Sequence, residues 1–284
     1  MDNEYKNHHQ VVLVAAFEGW NDASEAASDA VKHLINRYDS RIIGHIDSDD
    51  YYDMQTSRPM LCTVLGHKRI VWPQTTLYQT HISDDTELIL AIGPEPNMHW
   101  MDYCREVLSI ADDAEATKIV ALGSMFADYP HTRALPTTVN DGADLSVDDE
   151  TYSGPIGIPT VLTMTAAQMG FDSDSVWVSI PEYLGGDDCP EGSVRLLERL
   201  AALLDTPIDM EDVSKRARRW KADAQMLVRY NDVLANYVHQ LEEQADQSAT
   251  NTLMSTQKAQ QLVAETEAYL QSLEQHGATG GLID

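Results

Sequence analysis

Short, unbroken apolar runs are the feature that most constrains the fold of this chain. QVVLVAAF (10–17), ELILAIG (87–93) and KIVALGSMF (118–126) each have the length of a strand and lack a polar face. Strands of this kind are buried on both sides in a parallel sheet. Amphipathic segments of helical length, SEAASDAVKHLINRY (24–38) and WMDYCREVLSIADDA (100–114), lie near them in the chain. This alternation predicts an α/β fold with helices on both faces of the sheet.

Three weaker segments extend the pattern. RIIGHID (41–47) is a second strand that completes a β-α-β unit with the first run, and SVWVSIPEY (175–183) follows a helix near TVLTMTAAQMG (160–170). The stretch 51–82 differs, because it contains short β-like pieces and prolines. It predicts added antiparallel strands or a long excursion.

The C-terminal part differs in composition and in the spacing of its apolar residues. From Asp209 to Gln275 the chain contains no proline and no glycine, and apolar residues recur at helical spacing. DQSATN (246–251) interrupts this pattern and predicts the turn of a helical hairpin. We therefore expect an α/β domain over 1–207, a helical hairpin over 208–276 and a flexible tail over 277–284. The apolar seam of such a hairpin packs either on its own domain or on another subunit.

The net charge of −27 restricts the partners. So negative a chain repels phosphate backbones and anionic membrane surfaces, which argues against a nucleic-acid or membrane partner. The three cysteines form no CxxC pair, and this suits a reducing cytoplasm. The N-terminus does not have the pattern of a secretory signal, and no apolar stretch is long enough to span a bilayer.

The common catalytic motifs are absent from the sequence. It contains no phosphate-binding glycine loop, no HExxH, no GxSxG and no cysteine set for zinc, so we expect neither a cofactor nor a metal. The best candidate for a hard cation is DSDDYYD (47–53), with Asp47, Asp49 and Asp53. It lacks the glycine and distal glutamate of a calcium loop, so a solvated acidic loop is the favoured explanation.

FEGWNDASEA (17–26) lies where the first predicted strand gives way to the first helix. Ligands of open α/β sheets bind at the carboxyl ends of the strands, so Gly19, Trp20, Asn21 and Asp22 are candidates for a ligand or partner site. Asn21 or Asp22 can equally cap the helix, with Trp20 packed over the sheet edge.

ADYPHTR (127–133) leaves the predicted sheet at the same edge. Asp128, His131, Thr132 and Arg133 are therefore further candidates for the same site. One interpretation is structural, with Arg133 bridged to Asp128 or Asp22 and His131 bonded to backbone. The other is an anion site, with Arg133 as its clamp and His131 as donor or base. No nucleophile partnered with His131 is evident, and a triad cannot be claimed from the proximity of Ser124 in sequence.

Several segments in a fixed order resemble one known family, over about residues 10 to 245. They are GWNDA (19–23), GPEPNMHW (93–100), LGSMFADYPHTR (122–133), YSGPIGI (152–158), VWVSIPEY (176–183) and NDVLANYVHQLEE (231–243). In this order they are similar to the bacterial, chiefly actinobacterial, branch of the proteasome assembly chaperone two family. GWNDA, PHTR and YxGPxG together are specific, whereas none of the three alone would be.

The resemblance implies a three-layer α/β sandwich, a phosphorylase- or hydrolase-like mixed sheet flanked by helices, with a C-terminal helical hairpin and trimeric assembly. It implies a chaperone-like protein of the proteasome machinery, and the missing catalytic motifs favour a non-catalytic protein that binds a protein partner. Some bacterial members are labelled ATP-dependent carboxylate–amine ligases, but this chain has no glycine-rich lid. It also departs from the family at PEY (181–183), where Glu182 replaces a histidine. The alternative is an enzyme, a hydrolase or phosphorylase-like transferase that acts on a small anionic metabolite at a rim formed by Trp20, Asp22, His131 and Arg133. A small-molecule sensor that uses the same rim is a third.

Overall fold

A computed structural model of the protein describes residues 9–142, 154–186 and 188–250. The chain divides into two compact units, residues 1–227 and residues 228–284. The first unit contains the sheet and the sites predicted above. The second arm of the predicted C-terminal hairpin, the tail and the first two residues of YSGPIGI lie outside the described residues.

A seven-stranded mixed sheet forms the centre of the first unit. Its strands are β1 Gln10–Glu18, β2 Arg41–Ile46, β5 Thr75–His81, β6 Thr86–Pro94, β7 Lys118–Ala127, β8 Thr137–Asp141 and β9 Asp172–Pro181. They lie in the order β2-β5-β6-β1-β7-β9-β8. The strands β6, β1, β7 and β9 run parallel, and the outer strands β5, β2 and β8 each pair antiparallel with their neighbours. The apolar runs that predicted buried strands are the parallel strands of its centre.

Helices cover both faces of the sheet, which gives the predicted three layers. They are α1 Ala26–Arg37, α2 Ser48–Tyr51, α3 Trp100–Asp113, α4 Ile158–Gln168, α5 Pro190–Leu204 and α6 Glu211–Arg229. α1 and α5 bury residues such as Leu34 and Leu197 against one face, where Val12 and Val14 of β1 point. α3 and α4 bury Tyr103 and Leu162 against the other face, together with Leu13. Alternate residues of one strand therefore enter two separate cores, as a doubly covered sheet requires.

The segment 51–82 adds antiparallel strands, as predicted. β3 (Met60–Val64) and β4 (His67–Val71) pair as a hairpin in a two-stranded sheet of their own, and β5 joins the main sheet. The strand β2 runs in the same direction as β1, but β5 and β6 lie between them. The predicted β-α-β unit is therefore a crossover between strands that are not neighbours.

The C-terminal helical part contains a break that the sequence pattern did not predict. α6 ends at Arg229, and helix resumes over 232–250. The side-chain oxygen of Asn231 accepts a hydrogen bond from the backbone N–H of Leu234 at 3.1 Å, as an N-cap does. Residues 246–250, where we predicted the start of a turn, are helical.

Candidate functional site

The two candidate loops leave the sheet at one edge, because β1 and β7 are adjacent and parallel. Asp22 forms an isolated parallel β-bridge with Ser124 of β7. The backbone N–H of Ser124 donates to the carbonyl of Asn21 at 2.8 Å, and its hydroxyl donates to the carbonyl of Ala23 at 2.9 Å. Ser124 is fully buried. It therefore fixes the turn after β1 against β7, and its hydroxyl is engaged with backbone.

Asp22 caps the first turn of α1 with its side chain, although the N-cap position itself is held by Glu25 and not by Asn21 or Asp22 as we expected. Its Oδ1 accepts hydrogen bonds from the backbone N–H groups of Ala27 at 2.8 Å and Ser28 at 3.1 Å. Asp22 is buried, and desolvation raises the pKa of its carboxyl above the ordinary value of 3.8, although the bonds from Ser28 and Ala27 oppose the rise. The carboxylate thus stabilises the start of α1.

Asn21 links the same turn to the start of α4. Its Nδ2 donates to Oε1 of Glu95 at 2.7 Å, and the same oxygen accepts the backbone N–H of Ile158 at 3.0 Å. Gly157 precedes that helix, and a Cβ on Gly157 would lie 1.9 Å from Oδ1 of Asn21. The close approach explains why YSGPIGI carries a glycine at this point. Glu95 is a residue of this edge that sequence reasoning did not single out.

The turn that carries Trp20 has unusual backbone geometry. Gly19 has a φ of 120°, and Ser24 and Glu25 are left-handed although neither is glycine. Such conformations carry a cost and persist only where surrounding contacts hold them. The turn leaves 66% of Trp20 exposed. Trp20 is therefore presented to solvent and does not serve as a cover for the sheet.

His131 is held between Tyr183 and Trp220. The backbone N–H of His131 donates to the phenolic oxygen of Tyr183 at 2.8 Å, and Nδ1 lies 2.6 Å from the same oxygen. The rings of Tyr183 and Trp220 meet the imidazole edge-on at centroid distances of 6.0 and 6.4 Å. Only 1% of His131 is exposed, so this histidine is a core residue and is shielded from solvent.

Sequence reasoning missed the part that Tyr183 and Trp220 play at His131. Tyr183 follows β9, the strand next to β7, so the adjacency of their carboxyl ends was a usable signal. Trp220 lies on α6, far away in the chain, and no local pattern could have placed it.

The remaining residues of the PHTR loop lie nearer the surface. Asp128 and Thr132 are exposed, and Arg133 is half-buried with Nη1 3.4 Å from the hydroxyl of Thr132. The loop is closed by a hydrogen bond from the backbone N–H of Arg133 to the carbonyl of Pro130, at 3.3 Å. A ligand-binding role for these three residues stays a prediction.

Large apolar side chains are exposed at this same edge. Met125 and Phe126, near the end of β7, are 46% and 49% exposed, and Ile156 lies exposed just before α4. Trp20 lies at the same edge, and we call these four exposed residues together the carboxyl-edge surface (Trp20, Met125, Phe126 and Ile156). These apolar residues are exposed to solvent, whereas the polar residues Asn21, Asp22 and His131 of the same two loops are buried.

An open cavity of about 530 Å³ adjoins Gly19. Its lining includes two carboxylates, Glu18 and Glu95, together with Trp100 and Asn97. Gly19 is the lining residue that the sequence analysis had singled out. The residues that line this cavity do not include the rim residues of the enzymatic alternative (Trp20, Asp22, His131 and Arg133), and its two carboxylates would repel an anion.

Within the described ranges, no group of three His, Cys, Asp or Glu side chains could hold a metal ion. In the acidic loop, Asp49 lies on α2, and the carboxylate of Asp53 accepts bonds from Gln55 N–H and the Thr56 hydroxyl at 2.9 and 3.1 Å. Across the described part of the chain, no helix is both long enough and apolar enough to cross a membrane.

Comparison with known proteins identifies the family. The model of the PAC2 family matches residues 16–228. None of the curated proteins matches the chain. Among solved structures, a PAC2 family protein from Streptomyces avermitilis is 33% identical, with a TM-score of 0.74 over 81% of this chain and 100% of that one. A proteasome-assembly chaperone homologue from Mycobacterium tuberculosis is also 33% identical, with a TM-score of 0.73 over 80% and 99%.

A more distant structure shares the fold. The archaeal proteasome activator PbaB of Pyrococcus furiosus is 13% identical, with a TM-score of 0.61 over 78% of this chain and 93% of its own. The chain therefore belongs to the PAC2 family, and its relatives from Streptomyces and Mycobacterium confirm the predicted actinobacterial branch.

Proposed function

We propose that this member of the PAC2 family is a non-catalytic protein-interaction protein with a chaperone-like role toward proteasome-related machinery. It would act in the cytoplasm as a homo-oligomer, a trimer, and would bind its protein partner through the carboxyl-edge surface. The homologue from Mycobacterium, which bears the name of a proteasome-assembly chaperone, supports the class of partner.

This proposal rests on the difference between the buried and the exposed residues of the carboxyl edge. Three buried polar residues there make structural hydrogen bonds: Asp22 caps α1, Asn21 binds Glu95 and Ser124 binds Ala23. The side chains that reach solvent, Trp20 and Phe126, are apolar. Catalysis needs polar groups aimed at a substrate, whereas protein docking needs exposed aromatic and apolar anchors.

The chemistry of His131 points in the same direction. A general base must reach its substrate, and His131 is almost completely buried against Tyr183 and Trp220. The thiols of Cys104 and Cys189 are also unsuited to catalysis, because burial raises the pKa of each to about 12. The buried residues at the sheet edge are therefore better suited to supporting a contact surface than to catalysis.

The experiment compares two methionines of nearly equal exposure. Met125 belongs to the carboxyl-edge surface, whereas Met169 (49% exposed) follows the far end of α4. Met125→Asp should weaken binding to the purified proteasome core particle at least about tenfold, the usual effect of losing an interface anchor, and Met169→Asp should leave it unchanged. Biolayer interferometry gives both dissociation constants. Equal affinities, or no binding by the wild type, would overturn the proposal.

A further inference from the structure

The β3–β4 hairpin is an apolar projection outside the main sheet. Its two strands pair only with each other in their own two-stranded sheet. Leu65, in the turn, is 95% exposed. The other exposed apolar residues of the hairpin and its root are Met60, Leu61, Val64, Ile70, Val71 and Trp72.

An isolated two-stranded hairpin is marginally stable in water. Its exposed apolar residues occupy consecutive positions, such as Met60 and Leu61 or Ile70 and Val71, so they point to both faces of the ribbon. A contiguous exposed apolar surface of this kind marks an interaction site. The composition of the hairpin is therefore typical of a segment that another protein surface covers.

The charge of this segment is opposite to that of the chain as a whole. Residues 54–83 contain three of the 19 Lys and Arg residues, Arg58, Lys68 and Arg69, and none of the 46 Asp and Glu residues. The hairpin is thus a basic, apolar element on an acidic protein. Complementary charge steers two surfaces together and suppresses wrong partners.

We propose that the β3–β4 hairpin is the contact by which one copy of this chain binds a second copy, with Lys68 and Arg69 against an acidic surface of that copy. The chain itself supplies the complementary surface, because all of its acidic residues lie outside 54–83. A basic element that meets a different, acidic region makes a head-to-tail contact, and such contacts form a ring when the rotation between successive copies closes. This inference deepens the proposed homo-oligomer and does not depend on binding to a proteasome.

The root of the hairpin offers room for side chains of the second copy. An open groove of about 600 Å³ lies between the root and the body of the protein. Met60, Val71 and Trp72 line it from the hairpin side, and Ile35 of α1 lines it from the body. The groove continues the exposed apolar surface of the strands, so the contact can extend from the tip of the hairpin to its root.

The test is charge reversal with a control of equal charge. Lys68→Glu with Arg69→Glu changes two exposed residues of β4. Arg105→Glu with Arg199→Glu changes two exposed residues on α3 and α5 by the same total charge. Light scattering on the full chain should show an oligomer for the wild type and for the control. The hairpin variant should be a monomer, or should associate at least about tenfold more weakly. Circular dichroism should show the same helical content in all three.

The possible results separate the two proposals. A wild type that is an oligomer, together with a hairpin variant of unchanged mass, overturns the role of the hairpin but leaves the homo-oligomer standing. A monomeric wild type overturns both. If that monomer co-sediments with phosphatidylglycerol vesicles and the hairpin variant does not, the hairpin is a membrane contact. Loss of the oligomer in the control as well as in the hairpin variant would also refute the inference, because net charge alone would then explain the effect.

Discussion

Removal of the Asp22 carboxylate tests whether the polar residues of the carboxyl edge are structural. Asp22→Ala leaves the backbone N–H groups of Ala27 and Ser28 without their side-chain acceptor, and both residues are fully buried. A buried donor left unsatisfied costs about 1–3 kcal/mol, and loss of an N-cap costs about 1 kcal/mol. Part of this is offset, because the desolvated carboxyl is also removed. We expect a net loss of about 3 kcal/mol of unfolding free energy.

The assay is thermal and urea unfolding of three variants. A loss of about 3 kcal/mol lowers the melting temperature of a domain of 150–250 residues by about 6–12 °C. Asp22→Asn keeps an oxygen acceptor and should lose about 1 kcal/mol or less. Asp84→Ala, at an exposed carboxylate between β5 and β6, should stay within about 0.5 kcal/mol of the wild type. An unchanged melting temperature for Asp22→Ala, combined with lost binding of a ligand or partner, would refute the structural assignment.

Two further predictions concern the same turn. Gly19→Ala should lower the unfolding free energy, measured in urea, by about 1 kcal/mol or more. The loss comes from the φ of 120° alone, because the added Cβ meets nothing closer than 3.9 Å. An unchanged unfolding free energy would show that the turn relaxes freely. The second prediction concerns pH. Burial raises the pKa of Asp22 in the folded state, so ionisation of this carboxyl opposes folding. As the pH rises from about 3.8 to 7, the wild type should therefore lose unfolding free energy relative to Asp22→Asn. A difference between the two proteins that is constant with pH would contradict the assigned cause.

Periodicity was enough to predict the centre of the fold. The apolar runs that became β1, β6 and β7 are buried on both faces, so consecutive positions in them are apolar. β8 (TTVND) was missed because it is an exposed edge strand with little apolar content. α5 has a visible stripe in Leu196, Leu197, Leu200 and Leu204 behind Pro190, and that pattern could have predicted it.

The candidate site was predictable only in outline. The adjacency of two parallel strands brought the GWNDA and PHTR loops to one edge, as expected. The individual partners were not predictable, because Glu95 meets Asn21 across 74 residues and Tyr183 meets His131 across 52. Such pairs depend on the order of the strands and on the conformation of the loops. Neither can be predicted from the periodicity of apolar residues.

Differential hydrogen exchange can locate the surface through which the protein binds the proteasome core particle. Amide exchange of the full chain is measured alone and in a mixture with the proteasome core particle. We expect slower exchange at the carboxyl-edge surface, in residues 19–21, 125–127 and 154–157, when the core particle is present. A complex that protects other segments and leaves these three unchanged, or the absence of any complex, would contradict it.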